Sequence, residues 1–150
     1  MSLTARRVPH PPDAVMAVLA DGWRYADWVV GARKVRAVDE GFPAPGTKIH
    51  HSVGVGPLHL DDTSVVVAFE RPCGPVVLEA RAWPVGTATV VISVRADGDG
   101  SEIEIREEPN HGPARRVHNP LLDRLLHLRN VECLRRLDRL VAREAAATGA

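Results

Sequence analysis

The stretch NPLLDRLLHLRNVECLRRLDRLVARE, residues 119–144, has the pattern of one long amphipathic helix. It begins with Asn119, a good helix cap, and Pro120, which suits the first helical position. At about 100° per residue, one stripe collects the apolar side chains of Leu122, Leu125, Leu126, Cys133, Leu137 and Leu140. A stripe of this length must be buried against a large apolar surface, which the preceding residues have to supply.

The residues before this helix have the pattern of an antiparallel sheet. Short segments with turn chemistry separate five β-branched runs, which are TKIHHSVGVG (47–56), LHLDDTSVVVAFE (58–70), PVVLEARAW (75–83), TATVVISVRA (87–96) and SEIEIREEP (101–109). Short turns join strands that are antiparallel neighbours. We therefore expect a curved sheet whose concave face receives the apolar stripe of the helix.

A shorter helix and an aromatic group are expected near the N-terminus. Two prolines and then helical spacing of apolar residues in HPPDAVMAVLADGW (10–23) predict a short helix from about residue 12. Trp23, Tyr25 and Trp28 follow it, although only 4% of the residues are aromatic. Trp23 and Trp28 are expected to fill the core, with a pocket wall as the alternative. The period changes to that of a strand from Ala32 onward.

The predicted fold is α+β, with a single domain over residues 1–150. In chain order it has a strand, two short helices, further antiparallel strands to a total of about six to seven, and the long C-terminal helix. A sheet that curls around one helix, and is only partly filled by it, leaves a cavity between the two. The short helices would cap the mouth of that cavity.

The composition narrows the class of partner. Lys plus Arg (19) equals Asp plus Glu (19), so no net positive field favours nucleic acid. The absence of a long apolar run argues against stable membrane insertion, and the absence of a signal-peptide pattern and of paired cysteines argues for a cytoplasmic protein. Arginine strongly outnumbers lysine, which indicates a GC-rich, bacterial genome.

Four segments together resemble a known superfamily. They are PPDAVMAVLADGWRYADWVVGARKVRAVD (11–39), GTKIHHSVGVGPLHLDDTS (46–64), GDGSEIEIREEP (98–109) and NPLLDRLLHLRNVECLRRL (119–137). Their pattern and order are similar to the helix-grip superfamily, also called START-like, Bet v 1-like or SRPBCC, and within it to the bacterial polyketide cyclase/dehydrase group. The resemblance implies a helix-grip fold and a cavity for a lipid, a polyketide or a similar molecule. Members include carriers, enzymes that close aromatic rings, and adaptors.

A charge on the apolar stripe is the first candidate for a functional group. Arg129 lies close to the centre of the stripe, where an unpaired charge would be costly. Strand alternation through Ile103 and Ile105 places Glu107 on the same inward face, so a Glu107–Arg129 pair is expected. This pair is either structural, or it lines the cavity and holds a polar group of a ligand.

Adjacent histidines and aspartates offer candidates for acid–base catalysis. If the turn after HHSVGVG lies at residues 55–56, His50 faces Asp61, and if it lies at residues 56–57, His51 faces Asp62. Either register would pair an imidazole with a carboxylate, as ring closure or dehydration by a general base requires. Neighbouring residues on a strand point to opposite faces, so one of the two histidines can face the cavity. A surface pair is the alternative.

Aromatic side chains are the remaining candidates for ligand contact. Trp28, Trp83 and Phe42 are expected at the wall of the cavity, with Phe42 as a lid from the loop EGFPAPG (40–46). The histidines are scattered and no zinc-binding, dinucleotide or phosphate-loop motif is present, so no metal site and no cofactor are expected.

The predicted function is binding of a small, largely hydrophobic ligand between the sheet and the C-terminal helix. The protein would act either as a carrier or as an enzyme of the cyclase/dehydrase type. A non-enzymatic protein-interaction or regulatory module is the alternative, and a monomer or a homodimer fits either. A hollow of about 300 Å³ or more with convergent polar groups would favour ligand binding. A filled core with an exposed apolar patch would favour the module.

Overall fold

The computed structural model describes residues 2–55, 57–82, 86–111 and 120–148. In these ranges the chain forms one antiparallel sheet, a long C-terminal helix, and short helices between the first two strands. In chain order the elements are β1 (Ser2–Val8), α1 (Pro12–Leu19), a 3₁₀ turn (Gly22–Arg24), α2 (Tyr25–Trp28), β2 (Ala32–Val38), β3 (Lys48–Val55), β4 (Leu58–Phe69), β5 (Val76–Ala82), β6 (Gly86–Asp97), β7 (Gly100–His111) and α3 (Pro120–Thr148). The sheet order is β1-β7-β6-β5-β4-β3-β2. This confirms the predicted helix-grip fold.

The period-2 pattern of the strands separates the two faces of the sheet. On β7, Ile103, Ile105 and Glu107 are buried, and the residues between them are more exposed. Ile92 and Val94 of β6 lie opposite Ile105 and Ile103, so the same face continues across the two strands. Successive side chains on a strand point to opposite sides, so this face forms the inner wall of the molecule.

Helix α1 packs on the inner face of the sheet at one end. Pro12 occupies its first turn, where a missing backbone N–H costs nothing. Val15, Met16, Val18 and Leu19 are buried, as the spacing predicts. The predicted start of this helix near residue 12 is therefore confirmed.

Helix α3 buries its second half more completely than its first. The buried residues are Asn130, Cys133, Leu134, Leu137, Leu140 and Val141. The prediction that Leu125 belongs to the buried stripe is wrong, because this side chain is 55% exposed. The predicted cap, Asn119, lies outside the described residues. Two other residues of the first half of α3, Leu126 and Arg129, border a cavity.

The aromatic group after α1 divides into a buried part and an exposed part. Tyr25 and Trp28 of α2 are buried, and their rings meet edge to face with centroids 5.8 Å apart. Trp23 is 59% exposed, so the prediction that it fills the core is wrong. The side chain of Asp21 accepts a hydrogen bond from the backbone N–H of Trp23 and caps the 3₁₀ turn. This turn directs Trp23 away from the core.

Candidate functional site

A cavity of about 330 Å³ lies between the sheet and α3. Strands β2 to β7, α2 and α3 contribute to its walls, which include small or apolar residues such as Val53, Ala80, Ala88 and Leu126. A second cavity of about 40 Å³ shares five lining residues with it and reaches Trp28. We call the two together the chamber. Its volume exceeds the lower limit of about 300 Å³ typical of ligand pockets.

Arg129 of α3 and Glu107 of β7 meet in the wall of the chamber. Arg129 donates from Nη1 to Glu107 Oε2 at 3.3 Å and from Nε to the carbonyl of Val30 at 2.9 Å. Asn130 Nδ2 donates to the same oxygen of Glu107 at 3.2 Å. The side chain of Glu107 is 10% exposed and that of Arg129 is 35% exposed. The ion pair expected from the strand pattern is thus present, and both partners line the cavity.

Three further polar side chains form a hydrogen-bonded chain in the wall of the chamber. Tyr25 Oη lies 2.9 Å from Ser64 Oγ, and Ser64 Oγ lies 3.1 Å from His51 Nε2. The rings of Tyr25 and His51 are stacked at a tilt, with centroids 5.2 Å apart. All three residues are buried, and all three line the larger cavity. The site therefore combines an apolar body with two separate polar clusters.

Burial shifts the protonation equilibria of these groups toward their neutral forms. Desolvation lowers the pKa of His51, and the nearby Asp62 carboxylate opposes part of this effect. Desolvation likewise raises the pKa of Tyr25, against the hydrogen bond with Ser64. The thiol of Cys133 accepts a hydrogen bond from the backbone N–H of Val30. Burial raises the pKa of this thiol. At neutral pH the chamber therefore presents a neutral imidazole and a neutral phenol.

The strand register places the two histidines on opposite faces. His51 lies opposite Asp62, which is the second of the two registers that the sequence allowed. His51 nevertheless bonds to Ser64, while Asp62 accepts the backbone N–H of Thr63. The inner face thus holds an imidazole with a hydroxyl partner and a carboxylate close by.

His50 and Asp61 belong to the outer face of the sheet. His50 Nε2 lies 2.8 Å from Asp39 Oδ1, and the side chain of His50 is partly exposed. Asp61 is exposed and contacts Ser52 and Arg36. Because the pleat alternates, neither side chain can reach the chamber from this position. Of the four acid–base candidates, His51 and Asp62 lie on the chamber side.

The three predicted aromatic contacts have different positions. Trp28 lines the smaller cavity of the chamber, beside Cys133. Phe42 lines a separate void of about 10 Å³ near Gly22. It does not line the larger cavity, so it does not cover that cavity as a lid. The ring of Phe42 lies next to Gly22 of the 3₁₀ turn. Trp83 lies outside the described residues.

Sequence reasoning missed two polar members of the site. Ser64 follows Asp62 by two positions, so strand alternation alone places it on the inner face. Asn130 lies three residues before Cys133, at a spacing that brings it next to the apolar stripe of α3. Each of these signals is periodicity, which indicates a face but not a hydrogen-bond partner.

Another cavity, of about 350 Å³, lies apart from the chamber, between the last turns of α3 and α1. We call it the outer groove. Ala14, Ala17 and Ala145 give it an apolar floor. Its charged side chains are already paired, since Arg24 forms ion pairs with Glu144 and with two nearby aspartates.

The described residues contain neither a candidate metal site nor a helix that could span a membrane. No group of three or more His, Cys, Asp or Glu side chains there is placed to hold a metal ion. Among the helices of the described ranges, none combines the length and the apolar character needed to cross a membrane.

Solved structures with the same fold include proteins of different kinds. Ara h 8.0201 is 13% identical, with a TM-score of 0.72 over 93% of this chain and 95% of that chain. The di-domain ARO/CYC StfQ from the steffimycin biosynthetic pathway is 13% identical, with a TM-score of 0.71 over 96% of this chain and 51% of its own, so the chain spans about half of it. A STAR-related lipid transfer protein from Xanthomonas axonopodis is 15% identical, with a TM-score of 0.68 over 92% of this chain and 83% of that chain. At these identities the likeness shows the fold alone.

Comparison with protein-family models is more specific. Among curated protein sequences, none matches the chain. The family model described as "Polyketide cyclase / dehydrase and lipid transport" matches residues 2–142. This range covers nearly all of the 150 residues, including every strand and most of α3. The chain therefore belongs to the polyketide cyclase/dehydrase and lipid transport family.

Proposed function

We propose that the protein binds a small, largely apolar molecule in the chamber between the sheet and α3. The observation that carries this proposal is a hollow of about 330 Å³ with Arg129, Glu107 and His51 in its walls. Membership of a family of polyketide cyclases, dehydrases and lipid-transport proteins supports it. The StfQ and STAR-related proteins, which share the fold, are named for a polyketide pathway and for lipid transfer.

The charges of the chamber favour an uncharged ligand. Arg129 and Glu107 neutralise each other at 3.3 Å, and His51 is neutral at neutral pH. A full charge placed beside this pair would give up its hydration without gaining a buried counter-ion, because Arg81, the other charged residue of the wall, is exposed to solvent. A carbonyl or hydroxyl oxygen could instead accept a hydrogen bond from the guanidinium of Arg129, whose five donors are not all used by Val30 and Glu107. The proposed ligand is therefore an apolar molecule with neutral oxygen groups.

A protein-interaction module is the alternative that the sequence left open. Leu121, Leu125 and Leu128 on the first half of α3 are exposed, which is the feature such a module would use. However, the space between this part of the sheet and α3 is a cavity and is not filled by side chains. Polar groups of the inner face line this cavity. This combination favours ligand binding over a module.

Filling the chamber tests the proposal. Ala80 on β5 lines both cavities of the chamber, so Ala80→Leu should occupy space that the ligand needs. We expect this variant to bind the neutral naphthyl ketone prodan at least about tenfold more weakly than the wild type, as measured by fluorescence titration. Native mass spectrometry of the purified wild type would identify a co-isolated ligand.

The matched control makes the same substitution in the outer groove. Ala145 lies on the floor of that groove, and Ala145→Leu should leave prodan affinity unchanged. Unchanged binding by Ala80→Leu, or weaker binding by Ala145→Leu, would show that the probe does not occupy the chamber. Wild-type protein that binds no prodan would also count against the proposal.

A further inference from the structure

In the described part of the chain, His51 lies in the chamber wall without a hydrogen bond to an acidic side chain. It is 3% exposed, its Nε2 lies 3.1 Å from Ser64 Oγ, and its ring stacks on that of Tyr25 at a centroid distance of 5.2 Å. The carboxylate of Asp62, which lies opposite in the register, accepts the backbone N–H of Thr63 instead. The hydrogen bond and the ring contact of this imidazole are therefore both with neutral side chains.

The other ring nitrogen of His51, Nδ1, is buried and makes no hydrogen bond within the described ranges. A protonated imidazole carries an N–H donor on each of its two nitrogens. Ser64 Oγ can accept one of these donors, but the donor on Nδ1 would have no acceptor. A buried donor without an acceptor costs free energy, and the cost is larger when the group is charged. The surroundings of His51 therefore suit the neutral imidazole and oppose the imidazolium.

The charged and titratable groups around His51 come from three strands and a helix. The Asp62 carboxylate of β4 favours the imidazolium, whereas Arg36 of β2 and His50 of β3 oppose it. From α2, the ring of Tyr25 contacts the imidazole as a neutral phenol, because burial raises the pKa of its hydroxyl. Desolvation outweighs the carboxylate, so the pKa of His51 lies below its ordinary value.

Among the described residues, three charged side chains line the larger cavity, and none of them is a free counter-ion for an imidazolium. Glu107 is paired with Arg129 at 3.3 Å, and Arg81 is exposed and positively charged. When no ligand is bound, a hollow of about 330 Å³ has room for several water molecules, each of which takes about 30 Å³ in the liquid. Charge acts over several ångströms, so this water stabilises a protonated His51 in the wall. An apolar ligand that displaces the water removes this stabilisation.

We propose that a proton on His51 and a neutral apolar ligand in the chamber exclude each other, so that the protein releases its ligand as the surroundings become acidic. This regulation rests on the proposed function, because it acts on the same chamber. By linkage, a ligand that prefers the protein with a neutral His51 also makes His51 harder to protonate. The affinity is complete above the pKa of His51 in the ligand-free protein. It falls as the pH is lowered through that pKa, by at most about tenfold per pH unit.

Fluorescence titration with prodan at a series of pH values tests this coupling. The arylamine of prodan stays unprotonated in mildly acidic solution, so a change of affinity belongs to the protein. One pH unit below the pKa of His51, we expect the wild type to bind prodan at least about fivefold more weakly than at about pH 7.5. Circular dichroism at each pH checks that the protein is folded.

Proton NMR of the wild type gives the reciprocal measurement without any substitution. The imidazole signal of His51, assigned through its backbone, is titrated with and without saturating prodan. Prodan should lower the pKa of His51 by at least about one pH unit, because the same coupling free energy acts on the ligand and on the proton. A structural role of His51 alone would leave the two titration curves the same.

Three variants assign the coupling to a residue. His51→Gln keeps a polar side chain that gains no charge, so its prodan affinity should not change with pH in this window. Asp62→Asn removes the carboxylate that favours the imidazolium, so the fall in affinity should move to lower pH. His50→Gln is the matched control, because the neighbouring imidazole pairs with Asp39 on the outer face, and it should keep the fall in affinity.

The outcomes separate this regulation from the proposed function. Prodan affinity that stays constant while His51 becomes protonated, or equal titration curves with and without prodan, would overturn the coupling and leave ligand binding standing. A fall in affinity that persists in His51→Gln, or that does not move in Asp62→Asn, would also overturn it. If His51→Gln does not fold, the wild-type NMR titration and Asp62→Asn decide. Absence of prodan binding to the wild type at about pH 7.5 would overturn both proposals.

Discussion

The chamber and the outer groove have almost the same volume, about 330 and 350 Å³, but their polar groups are in different states. In the outer groove, Arg24 and Glu144 are paired and each is 40% exposed. In the chamber, the Glu107 side chain is 10% exposed and a nitrogen of His51 lacks a partner. The two cavities therefore differ in electrostatics, although they do not differ in size.

This difference shows why volume alone does not identify a binding site. Charges on an exposed rim are solvated by water, and their interactions are weak and easily rearranged. Charges on a buried wall have lost water, so each interaction with a ligand or a partner is stronger and each missing partner is costly. We therefore expect substitutions in the chamber to have larger effects than the matching substitutions in the outer groove.

The largest contrast is expected when an arginine is replaced by methionine in each cavity. Arg129→Met keeps the apolar stem but leaves the buried Glu107 with Asn130 as its remaining hydrogen-bond donor. We expect a loss of about 2–3 kcal/mol in the free energy of unfolding, below the 3–5 kcal/mol of a fully buried pair because Arg129 is partly exposed. Urea-induced unfolding would measure it.

Arg24→Met is the control for that prediction. Its ion pairs are at the surface, where such pairs contribute about 0–1 kcal/mol, so the stability should change by less than about 1 kcal/mol. Equal losses in the two variants would contradict the distinction between the cavities.

The pH dependence of stability should also report on the chamber. Burial lowers the pKa of His51 in the folded protein, so between that pKa and the ordinary value near 6.5 the unfolded chain binds more protons. The free energy of unfolding should therefore fall as the pH is lowered through this window, by at most about 1.4 kcal/mol per pH unit. Thermal unfolding between pH 7.5 and about 5 would measure the slope.

Two variants assign that slope to a residue. His51→Gln removes the titrating imidazole from the chamber and should flatten the profile in this window. His50→Gln changes the neighbouring position on the outer face, and it should keep the slope of the wild type. If both variants keep it, the acid sensitivity comes from another part of the molecule.

The fold was more predictable than the site, for a physical reason. Periodicity shows which face of a helix or strand is apolar, and it correctly placed Ile105 and Glu107 on the inner face. Periodicity cannot show whether side chains fill the space between two apolar faces. The spacing put Leu125 on the buried stripe, yet this side chain is 55% exposed, and the hollow beside this half of α3 is lined by residues of six of the seven strands.

The polar cluster depended on geometry that the sequence leaves open. The sequence allowed two registers for β3 and β4, and the observed pairing is the one that puts His51 opposite Asp62. Even this register did not predict that Ser64, two residues further along β4, would be the hydrogen-bond partner of His51. Twist and side-chain rotamers decide such contacts, and a linear pattern does not contain them.

The smallest contrast is expected when a hydroxyl is removed from each region. Tyr25→Phe keeps the ring but takes away one link of the hydrogen-bonded chain, so we expect a loss of about 1 kcal/mol in the free energy of unfolding. Thr148, which lines the outer groove, bonds to backbone carbonyls of its own helix and is exposed, so Thr148→Val should change stability by less than about 0.5 kcal/mol. Urea unfolding of both variants would resolve this difference. A Tyr25→Phe variant as stable as the wild type would contradict the expected difference between the buried wall and the exposed rim.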